Sequence, residues 1–492
     1  MTPYEIILPG ITLLPVVGVI VLLLWKNATK IQAAIVGIIS ESFALVIPIV
    51  LLTTLRREGS VFFSLPWIPN LNISFSLSLS WLSITFLITE VVVTLAAMIY
   101  SLGEKTGEKN SNFYYALLLL FSLGMSGTTL SDDVFLFYIF WELMLLASVL
   151  LIVGWGYGEK RFRVSLKYFI ITHLGSLMVL VCLIILYVNF ETASLSDLIL
   201  QASTLSVNMQ VFLSIFFIIG FCVKMAIFPL HIWLPDAHTV APMPVTIILA
   251  AAMLSMGAFG VLRFPYTLFP IETLQPFAVW LMIAGLVSEV YGALMALAEK
   301  EIKRIIAYSS VSQMGYILFG LGTLTLRGMQ GAIMHVVYHA IVKGLLFMVV
   351  GIIIAVTGKR YIDEVGGLGS KLPILTGCAA IGVLGISGMP PLGIFNSEWM
   401  IFAGGFDSGV SIALTVMTLI GSLLTLVYAL RFFGRIFFGV KKPASLPEKS
   451  PRGLLVPTIA VTVFLVIEGL LPGPLLAWAT SGLAEIFGGL FL

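Results

Sequence analysis

The sequence predicts an all-α polytopic membrane protein with about fourteen transmembrane helices. Three observations support this fold class: a mean hydropathy of +1.10, a 59% share of hydrophobic residues and a charged fraction of only 10%. A soluble domain carries roughly 25% charged residues. The composition therefore excludes a large soluble core, and we expect an integral membrane protein.

Windows of about twenty apolar residues locate the predicted spans along the chain. They cover residues 5–25, 31–53, 78–101, 113–130, 134–154, 164–188, 209–229, 243–264, 276–298, 303–324, 330–356, 373–402, 410–438 and 454–476. The first run lacks a basic leading region and a cleavage site, so we interpret it as a span and not as a signal peptide. The loops near 56–76 and 189–207 are expected to hold only short amphipathic pieces. The tail after Pro474 is expected to be short and without a lateral helix.

Prolines are expected to break the seventh and twelfth spans. Pro229 lies at the end of the seventh span, and Pro390 and Pro391 lie within the twelfth. Proline removes a backbone N–H donor and its ring clashes with the preceding turn, so a helix kinks or ends there. Two broken helices five spans apart are typical of transporters that are built from inverted repeats.

The breaks therefore predict a division of the chain into two inverted five-helix repeats with flanking helices. The first repeat would hold helices 4–8 and the second helices 9–13. The predicted boundaries are 1–111 for three N-terminal helices, 112–264 and 265–438 for the two repeats, and 439–492 for helix 14 and the tail.

Basic residues predict the orientation of the spans. Most Lys and Arg residues outside the spans follow odd-numbered spans, whereas Arg56, Arg57, Arg263 and Arg327 follow even-numbered ones. Positive charge is enriched in cytoplasmic loops. We therefore expect the loops after odd-numbered spans to be cytoplasmic and both termini to lie on the outer side.

Several function classes are not expected from this sequence. It contains no nucleotide-binding glycine fingerprint and no P-loop, so ATP-driven transport by this chain is not expected. A net charge of +2 gives no reason to expect a nucleic-acid partner. Cys182, Cys222 and Cys378 are far apart and have no metal-ligand spacing, so we expect neither a metal site nor a disulfide framework.

Two charged residues of opposite sign lie within predicted spans that are close in the sequence. Glu142 lies in the fifth span and Lys224 in the seventh, five residues before Pro229. An ionised side chain at membrane depth is costly unless it faces protein or water, and intramembrane carboxylates and amines often form proton relays. We expect Glu142 and Lys224 to pair across their helices. A purely structural ion pair, or a Lys224 that extends to the membrane surface, are the alternatives.

The eleventh span carries three titratable residues at helical spacing. His335, His339 and Lys343 recur at i, i+4 and i+8, which places them on one helical face. With water between them they would form a proton-conducting stripe that leads to Glu398 in the broken twelfth span. Two histidines four residues apart could also bind zinc, or could simply be packed. His173 in the sixth span is as consistent with packing as with function.

Other polar residues allow more than one interpretation. His231 and His238 follow the first break and could gate proton entry or could serve a loop. Glu289 could link the two halves or pair with a loop cation. Glu41 and Glu90 lie outside the proposed repeats, and we interpret them as lateral contacts to partner proteins.

At these residues the chain resembles the antiporter-like membrane subunits that are shared by respiratory complex I, Mrp-type multisubunit Na⁺/H⁺ antiporters and energy-converting membrane-bound hydrogenases. The M-type subunit of complex I is the most similar. The resemblance covers nearly the whole chain. The motifs that carry it are FWE at 140–142, VKMAIFPLHIWLPDAH at 223–238, EIKRIIAYSSVSQMGY at 301–316, HVVYHAIVKG at 335–344 and GMPPLGIFNSEWM at 388–400.

The resemblance implies fourteen helices, two inverted repeats and proton translocation that is coupled to redox chemistry or cation exchange in a larger complex. The family's pathway positions map onto Glu142, Lys224, His335, His339, Lys343 and Glu398. The sequence departs from many members in helix eight, where the stretch 249–264 offers Ser255 in place of a bridging lysine. Water, Ser255 or Glu289 would then have to link the two halves.

The sequence thus predicts a proton-translocating antiporter-like subunit, with Na⁺ as a second candidate ion. We expect no cofactor and no redox chemistry on this chain. It would serve as a subunit of a proton-pumping oxidoreductase or of a cation/proton antiporter. Its expected partners are other membrane subunits and the lipid bilayer, and its expected location is the plasma membrane of a prokaryotic cell. A scaffold subunit that no longer pumps and a stand-alone secondary transporter are the alternatives.

Overall fold

The computed structural model describes residues 3–25, 27–440 and 451–488. Within these ranges thirteen helical segments are long and apolar enough to cross a membrane, and Pro373–Ile386 forms a shorter apolar helix. The polytopic helical fold is thereby confirmed. Four basic residues that contributed to the predicted orientation lie outside the described residues, namely Lys26, Lys441, Lys442 and Lys449.

The helices and strands are numbered in chain order. The α-helices are α1 (Pro3–Ile7), α2 (Gly10–Leu24), α3 (Lys30–Glu58), α4 (Trp81–Ser101), α5 (Ser111–Leu130), α6 (Val134–Trp155), α7 (Arg161–Phe190), α8 (Leu195–Gln201), α9 (Val207–Met225), α10 (Leu234–Val240), α11 (Met243–Ile248), α12 (Leu254–Arg263), α13 (Pro265–Leu268), α14 (Ile271–Ala298), α15 (Ile302–Gly322), α16 (Leu326–Thr357), α17 (Pro373–Ile386), α18 (Gly393–Asp407), α19 (Ile412–Phe433), α20 (Arg452–Leu470) and α21 (Gly473–Phe487). The two strands are β1 (Val61–Ile68) and β2 (Ile73–Leu79).

Both predicted breaks are present. The seventh span ends as α9 at Met225, and Ala226 takes a left-handed conformation before the chain continues through a short 3₁₀ turn into α10. The twelfth span is divided into α17 and α18 around Gly388, which also has a positive φ. Helix eight is interrupted as well, because a π-helical turn over Leu249–Met253 separates α11 from α12.

The loop near 56–76 was expected to hold only short amphipathic pieces, and the structure shows two paired strands there. It forms an antiparallel hairpin in which Val61 pairs with Leu79 and Ser64 with Ser76. The second strand reads ISFSLSL, and this alternation of apolar and polar residues is a strand pattern that a search for apolar windows does not detect. The hairpin contacts the turn between α5 and α6, where the Ser74 N–H donates to Asp133 at 2.9 Å.

The tail after Pro474 contains a helix that the sequence analysis did not predict. Residues Gly473–Phe487 form α21, which packs against α4. Proline fits the first turn of a helix because the N–H it lacks has no partner there, so Pro474 helps to start α21 and does not end the structure. The Glu485 carboxylate accepts from the Trp81 backbone N–H at 2.8 Å and thereby caps the first turn of α4.

The interior of the fold is formed by α15 and α16, which the other helices surround. The most apolar stretch of α15 is completely buried, although α15 and α16 contain many of the chain's polar residues. Helices α14 and α15 approach closely through glycines. A Cβ atom at Gly315 would lie 2.5 Å from the Glu289 backbone N and from the Gly285 carbonyl oxygen. Small residues allow this backbone approach, which gives membrane helices their packing energy.

We predict that Gly315→Ala lowers the thermal midpoint of the purified protein by several degrees, because the added methyl group must push α14 and α15 apart. Overpacking of this kind costs about 1–3 kcal/mol. Gly154→Ala is the matched control, since nothing lies within 4 Å of the Cβ position at Gly154 in α6. A thermal denaturation series should show the control unchanged or slightly stabilised. An equal response of the two variants would contradict the close packing of α14 on α15.

Candidate functional site

Glu142 contacts a histidine that the sequence analysis left unassigned. Its Oε2 atom on α6 lies 3.0 Å from Nδ1 of His173 on α7. The side chains retain 24% and 35% of their exposure respectively, so the pair sits at the edge of the helix bundle and not in its centre. The sequence shows which spans carry these residues, but it does not show which faces of α6 and α7 meet.

The expected direct pair of Glu142 and Lys224 is absent. Among the residues that the structure describes, none accepts a hydrogen bond from Lys224 Nζ, which lies instead 4.8 Å from the ring centroid of Trp141. Successive residues of a helix point about 100° apart, so Trp141 and Glu142 serve different neighbours. The Trp141 indole donates to Ser176 at 2.9 Å and presents its face to the ammonium group as a cation–π partner.

Lys224 lies in the last turn of α9, directly before the break. The freed backbone groups of the break are bonded: the Val223 carbonyl accepts from the Trp233 indole at 3.0 Å, and the Phe228 N–H donates to Ser288 of α14 at 3.0 Å. A positive charge near the C-terminal end of a helix is also favoured by the helix dipole. The break therefore places Lys224 in a buried position that is compatible with its charge but leaves its Nζ atom without a fixed partner.

The residues of the eleventh-span stripe are fully buried in α16. His335 bridges two helices, because its Nδ1 lies 3.0 Å from Ser397 Oγ of α18 and its Nε2 lies 3.0 Å from Gln313 Oε1 of α15. Lys343 Nζ donates to the Ile306 carbonyl at 3.0 Å and to the Ser309 hydroxyl. Neither ring nitrogen of His339 has a hydrogen-bond partner within the described part of the chain. His335 and Lys343 thus share the face that contacts α15.

Glu398 lies at the second break, as its sequence position predicts. Its carboxylate packs directly against Gly388, where a Cβ atom would lie 2.2 Å from Oε2. Lys343 does not pair with this carboxylate, since its ammonium group bonds to α15. The described ranges contain no group of three or more His, Cys, Asp or Glu residues that could hold a metal ion. His335 and His339 therefore have no further ligand for zinc within these ranges.

The two histidines after the first break are both buried. His238 lies in α10, where its ring packs 5.4 Å from the Phe347 ring and both nitrogens lack a partner among the described residues. His231 lies in the 3₁₀ turn between α9 and α10, where its ring stacks on the Phe228 ring at a centroid distance of 5.6 Å and the Tyr291 ring lies edge-on to it at 4.8 Å. The loop interpretation is therefore wrong for His238, and for both residues a role in proton entry stays a prediction.

Ser255 and Glu289, the two candidates for passing protons between the two halves, differ in whether their side chains are already bonded. The Ser255 hydroxyl donates to the Ala251 carbonyl at 3.0 Å and so completes the π-helical turn of its own helix. Glu289 is fully buried in α14, and its carboxylate lies against Gly421 of α19. No loop cation forms an ion pair with Glu289 in the described structure, so that interpretation was wrong.

Lys303, the first residue of the predicted tenth span, is buried at the start of α15. Its Nζ atom donates to the carbonyls of His238 and Ala241, at 3.1 and 2.7 Å, and to the Thr246 hydroxyl at 3.3 Å. The motif EIKRII places this lysine next to a helix start, where sequence position alone suggests a surface residue. No signal in the sequence distinguishes it from the neighbouring exposed cations.

A polar cavity of about 480 Å³ opens beside Lys303. Its charged and polar lining comes from Glu104, Lys105, Tyr157, Lys303 and Arg360. Burial raises the pKa of Glu104, in the loop between α4 and α5, to about 7, although Lys303, a hydrogen bond from Thr106 and Lys30 act in the opposite direction. The cavity therefore joins a carboxyl group that titrates near neutrality to a lysine that is bonded to the backbone of His238.

Comparison with known proteins places the chain among membrane subunits of ion-translocating complexes. Residues 131–425 match the sequence model described as NADH:quinone oxidoreductase/Mrp antiporter, TM. The chain is 34% identical to NADH-quinone oxidoreductase subunit M of Escherichia coli (strain K12) over 438 residues, which cover 86% of this chain and 84% of that protein. It is 31% identical to Na(+)/H(+) antiporter subunit A1 of Staphylococcus haemolyticus, over 88% of this chain and 57% of the relative.

Solved structures show the same fold over almost the whole chain. A chain of the membrane-bound sulfane sulfur reductase, an archaeal respiratory membrane complex, superposes with a TM-score of 0.87 at 28% identity, covering 96% of this chain and 77% of that one. A chain of respiratory complex I from Thermus thermophilus superposes with a TM-score of 0.86 at 25% identity, covering 98% of this chain and 100% of the other. The resemblance that was inferred from the motifs is confirmed.

We predict an energetic coupling between Glu142 and His173 that exceeds the coupling between Glu142 and Lys224. A hydrogen bond to a charged group contributes roughly 1.5–3 kcal/mol, and part of this should appear as non-additivity in a double-mutant cycle. Thermal midpoints of Glu142→Gln, His173→Gln and the double variant provide the measurement, and the cycle with Lys224→Met is the control. Additive effects in the first cycle would refute the contact.

We also predict a pH-dependent stabilisation by Glu104→Gln. Because the folded-state pKa of Glu104 is raised from 4.5 to about 7, folding binds a proton at this carboxyl, and its effect on stability becomes more unfavourable as the pH rises through that interval. The variant should match the wild type at the acidic limit and exceed it above pH 7 by on the order of 1 kcal/mol, after allowance for solvent screening. Thermal midpoints across this range test the prediction, with the exposed Glu108→Gln as control. A constant difference at all pH values would exclude it.

Proposed function

The chain belongs to the NADH:quinone oxidoreductase/Mrp antiporter family, and from this premise we propose that it is a proton-translocating, antiporter-like subunit of a multisubunit membrane complex. The observation that carries the proposal is a series of titratable residues that crosses the fold between its two breaks, all of them buried except the half-buried Glu142. We call this series the central path, and it consists of Glu142, Lys224, Lys343, His339, His335 and Glu398.

In the first half of the central path, Glu142 can receive a proton from His173 or from Lys224. Glu142 bonds to His173, whereas Lys224 Nζ lies over the Trp141 ring and has no carboxylate within ion-pair distance among the described residues. A proton that arrives at Glu142 changes the field at both His173 and Lys224. Because Lys224 Nζ has no hydrogen-bond acceptor among the described residues, we infer a role in which this group changes its protonation state.

The second half offers a chain of groups that can both accept and donate protons. A neutral imidazole accepts at one nitrogen and donates from the other, and His335 uses both nitrogens to join Gln313 to Ser397, the residue before Glu398. His339 lies between His335 and Lys343 in α16, and neither of its nitrogens bonds to another described residue, so both could bind water. Waters would have to bridge the remaining gaps, since successive stripe residues are about 6 Å apart along the axis.

Proton entry is proposed at the polar cavity beside Lys303. Glu104 in its wall titrates near neutrality, and Lys303 connects the cavity to the backbone around His238. Arg360 and Lys105 in the same wall follow odd-numbered spans, which supports the assignment of this end to the cytoplasm. The outward location of both termini and the plasma membrane of a prokaryotic cell are part of the same proposal.

We assign the link between the two halves to α14. Ser288 of α14 accepts the Phe228 N–H at the first break, and the next residue, Glu289, is buried against α19. The Ser255 hydroxyl is bonded within its own helix, so it is the weaker candidate. This arrangement supports the proposed division into repeats over 112–264 and 265–438, with 1–111 and 439–492 as flanking regions.

The partners are proposed to be other membrane subunits, because the similar proteins named above come from multisubunit complexes. Protons are the proposed ion and Na⁺ is the second candidate, since one relative is named a Na(+)/H(+) antiporter subunit. A scaffold that no longer pumps is the competing function, and the missing helix-eight lysine favours it. The large cavities between α14 and α19 and between α4 and α16 are lined almost wholly by apolar residues, which gives a stand-alone transporter of polar substrates no binding site there.

We predict that Glu142→Ala and Lys224→Ala each reduce proton flux at least tenfold without loss of assembly. Each removes a titratable side chain on which the central path depends. Flux should be measured by a pH-sensitive dye in liposomes that contain the complete complex, and subunit content by native electrophoresis. Lys371→Ala, at an exposed lysine outside the central path, is the control. Wild-type flux in both variants would support the scaffold function.

A further inference from the structure

Two carboxylates outside the central path are buried in the N-terminal helices. Glu41 on α3 is 0% exposed and Glu90 on α4 is 1% exposed. The expectation that they form lateral contacts to partner proteins was therefore wrong, because both side chains point into the chain's own interior. Neither of them is used by the proposed function.

The two residues lie at the same level and converge on one helix. Glu41 lies about three turns after the start of α3, and Glu90 lies about three turns before the end of α4. Ser122 lies about three turns after the start of α5. The Ser122 hydroxyl donates to Glu41 Oε1 at 2.6 Å, and the Thr129 hydroxyl lies 3.4 Å from Glu90 Oε1 and 2.9 Å from the Ser126 carbonyl, the alternative acceptor of its proton. Ser122 and Thr129 are two turns apart on the same face of α5, so both carboxylates contact this face.

Three oxygen atoms at this place have no hydrogen-bond partner among the described residues. They are the second carboxylate oxygens of Glu41 and Glu90 and the hydroxyl oxygen of Thr94. Thr94 is 0% exposed and lies one turn after Glu90 on the same face of α4. None of the ion pairs within the described structure involves Glu41 or Glu90, so no lysine, arginine or histidine compensates them.

Two neighbouring carboxylates cannot both remain ionised in such a place without a cation. An uncompensated charge inside a membrane protein costs several kcal/mol or more, and a second like charge beside it adds repulsion. The unpartnered oxygens therefore require a positively charged ligand, and a proton is the smallest one that this fully buried site can take. It binds by forming an O–H bond on one carboxylate, which then donates to an oxygen that lacks a partner.

We propose that Glu41 and Glu90 form a second proton-binding site, a carboxyl pair that retains a proton independently of the central path. Its exchange route is the hydroxyl stripe of Ser122, Ser126 and Thr129 on α5. This stripe leads to the end of α5, where Asp132 accepts from Ser196 at 2.9 Å and pairs with Arg263. The ligand is thus a proton from the side of the β-hairpin, and the site lies in the part of the chain before the proposed repeats.

Infrared difference spectroscopy on the intact complex tests the proposal, with spectra recorded in H₂O and in D₂O so that exchange of the retained proton shifts its band. The wild type should show a C=O stretching band of a buried protonated carboxyl group. Glu41→Gln and Glu90→Gln should each remove or shift this band, whereas Glu58→Gln, at an exposed glutamate at the end of α3, should leave it unchanged. Glu41→Asp and Glu90→Asp keep a carboxyl group and should move the band, which keeps the test valid if a glutamine variant fails to assemble.

Two outcomes would overturn the proposal. One is a band that is identical in the wild type and in all variants of Glu41 and Glu90. The other is loss of the band when sodium chloride replaces choline chloride at constant ionic strength, because the ligand would then be Na⁺. The Glu142→Ala variant separates this proposal from the proposed function: it should lose proton flux and retain the band.

Discussion

The cost of leaving a polar group without a partner inside a membrane determines how this chain folds. Every backbone N–H and every ionisable side chain at membrane depth must find protein or water. Here the polar side chains are collected on the inner faces of α15, α16 and α18, and the outer helices present apolar side chains to their surroundings. Where a helix is broken, a side chain replaces the lost backbone partner, as Ser288 does for the Phe228 N–H. The breaks are stable only because neighbouring helices supply such groups.

Hydropathy and proline positions predicted in which span most candidate site residues lie, but not which way their side chains point around the helix. The positions of α9 and α18, and of Lys224 and Glu398 at their breaks, followed from apolar windows and from Pro229, Pro390 and Pro391. The direction of a side chain around its helix depends on packing, which is why the contact of Glu142 with His173 and the insertion of Trp141 beside Lys224 could not be predicted. Burial of Lys303 was missed for a related reason, since a lysine next to a helix start looks like a surface residue until the neighbouring carbonyls are placed.

The sequence analysis missed a strand whose apolar residues alternate with serine and a helix that has a proline in its first turn. The strand Ile73–Leu79 alternates serine with apolar residues, and a membrane-span search averages this alternation away. The helix Gly473–Phe487 begins at a proline, which the sequence analysis treated as an end. Both elements lie at helix ends: the hairpin binds Asp133 before α6, and Glu485 caps α4. They satisfy the terminal backbone groups that apolar spans leave open.

The contacts of His335 impose a direction on any transfer through this residue. The Ser397 hydroxyl donates its only proton to the Ile394 carbonyl at 2.9 Å, so in this arrangement it accepts from the imidazole Nδ1, while Gln313 offers its carbonyl oxygen to Nε2. A neutral imidazole carries one N–H, so when Nδ1 donates to Ser397, Nε2 is an acceptor that faces the acceptor oxygen of Gln313. Nε2 finds a donor when the Gln313 amide rotates, and Nδ1 finds one when the Ser397 hydroxyl turns from the Ile394 carbonyl to the ring. A proton that passes through His335 therefore requires one of these two neighbours to rearrange before the ring can be used again.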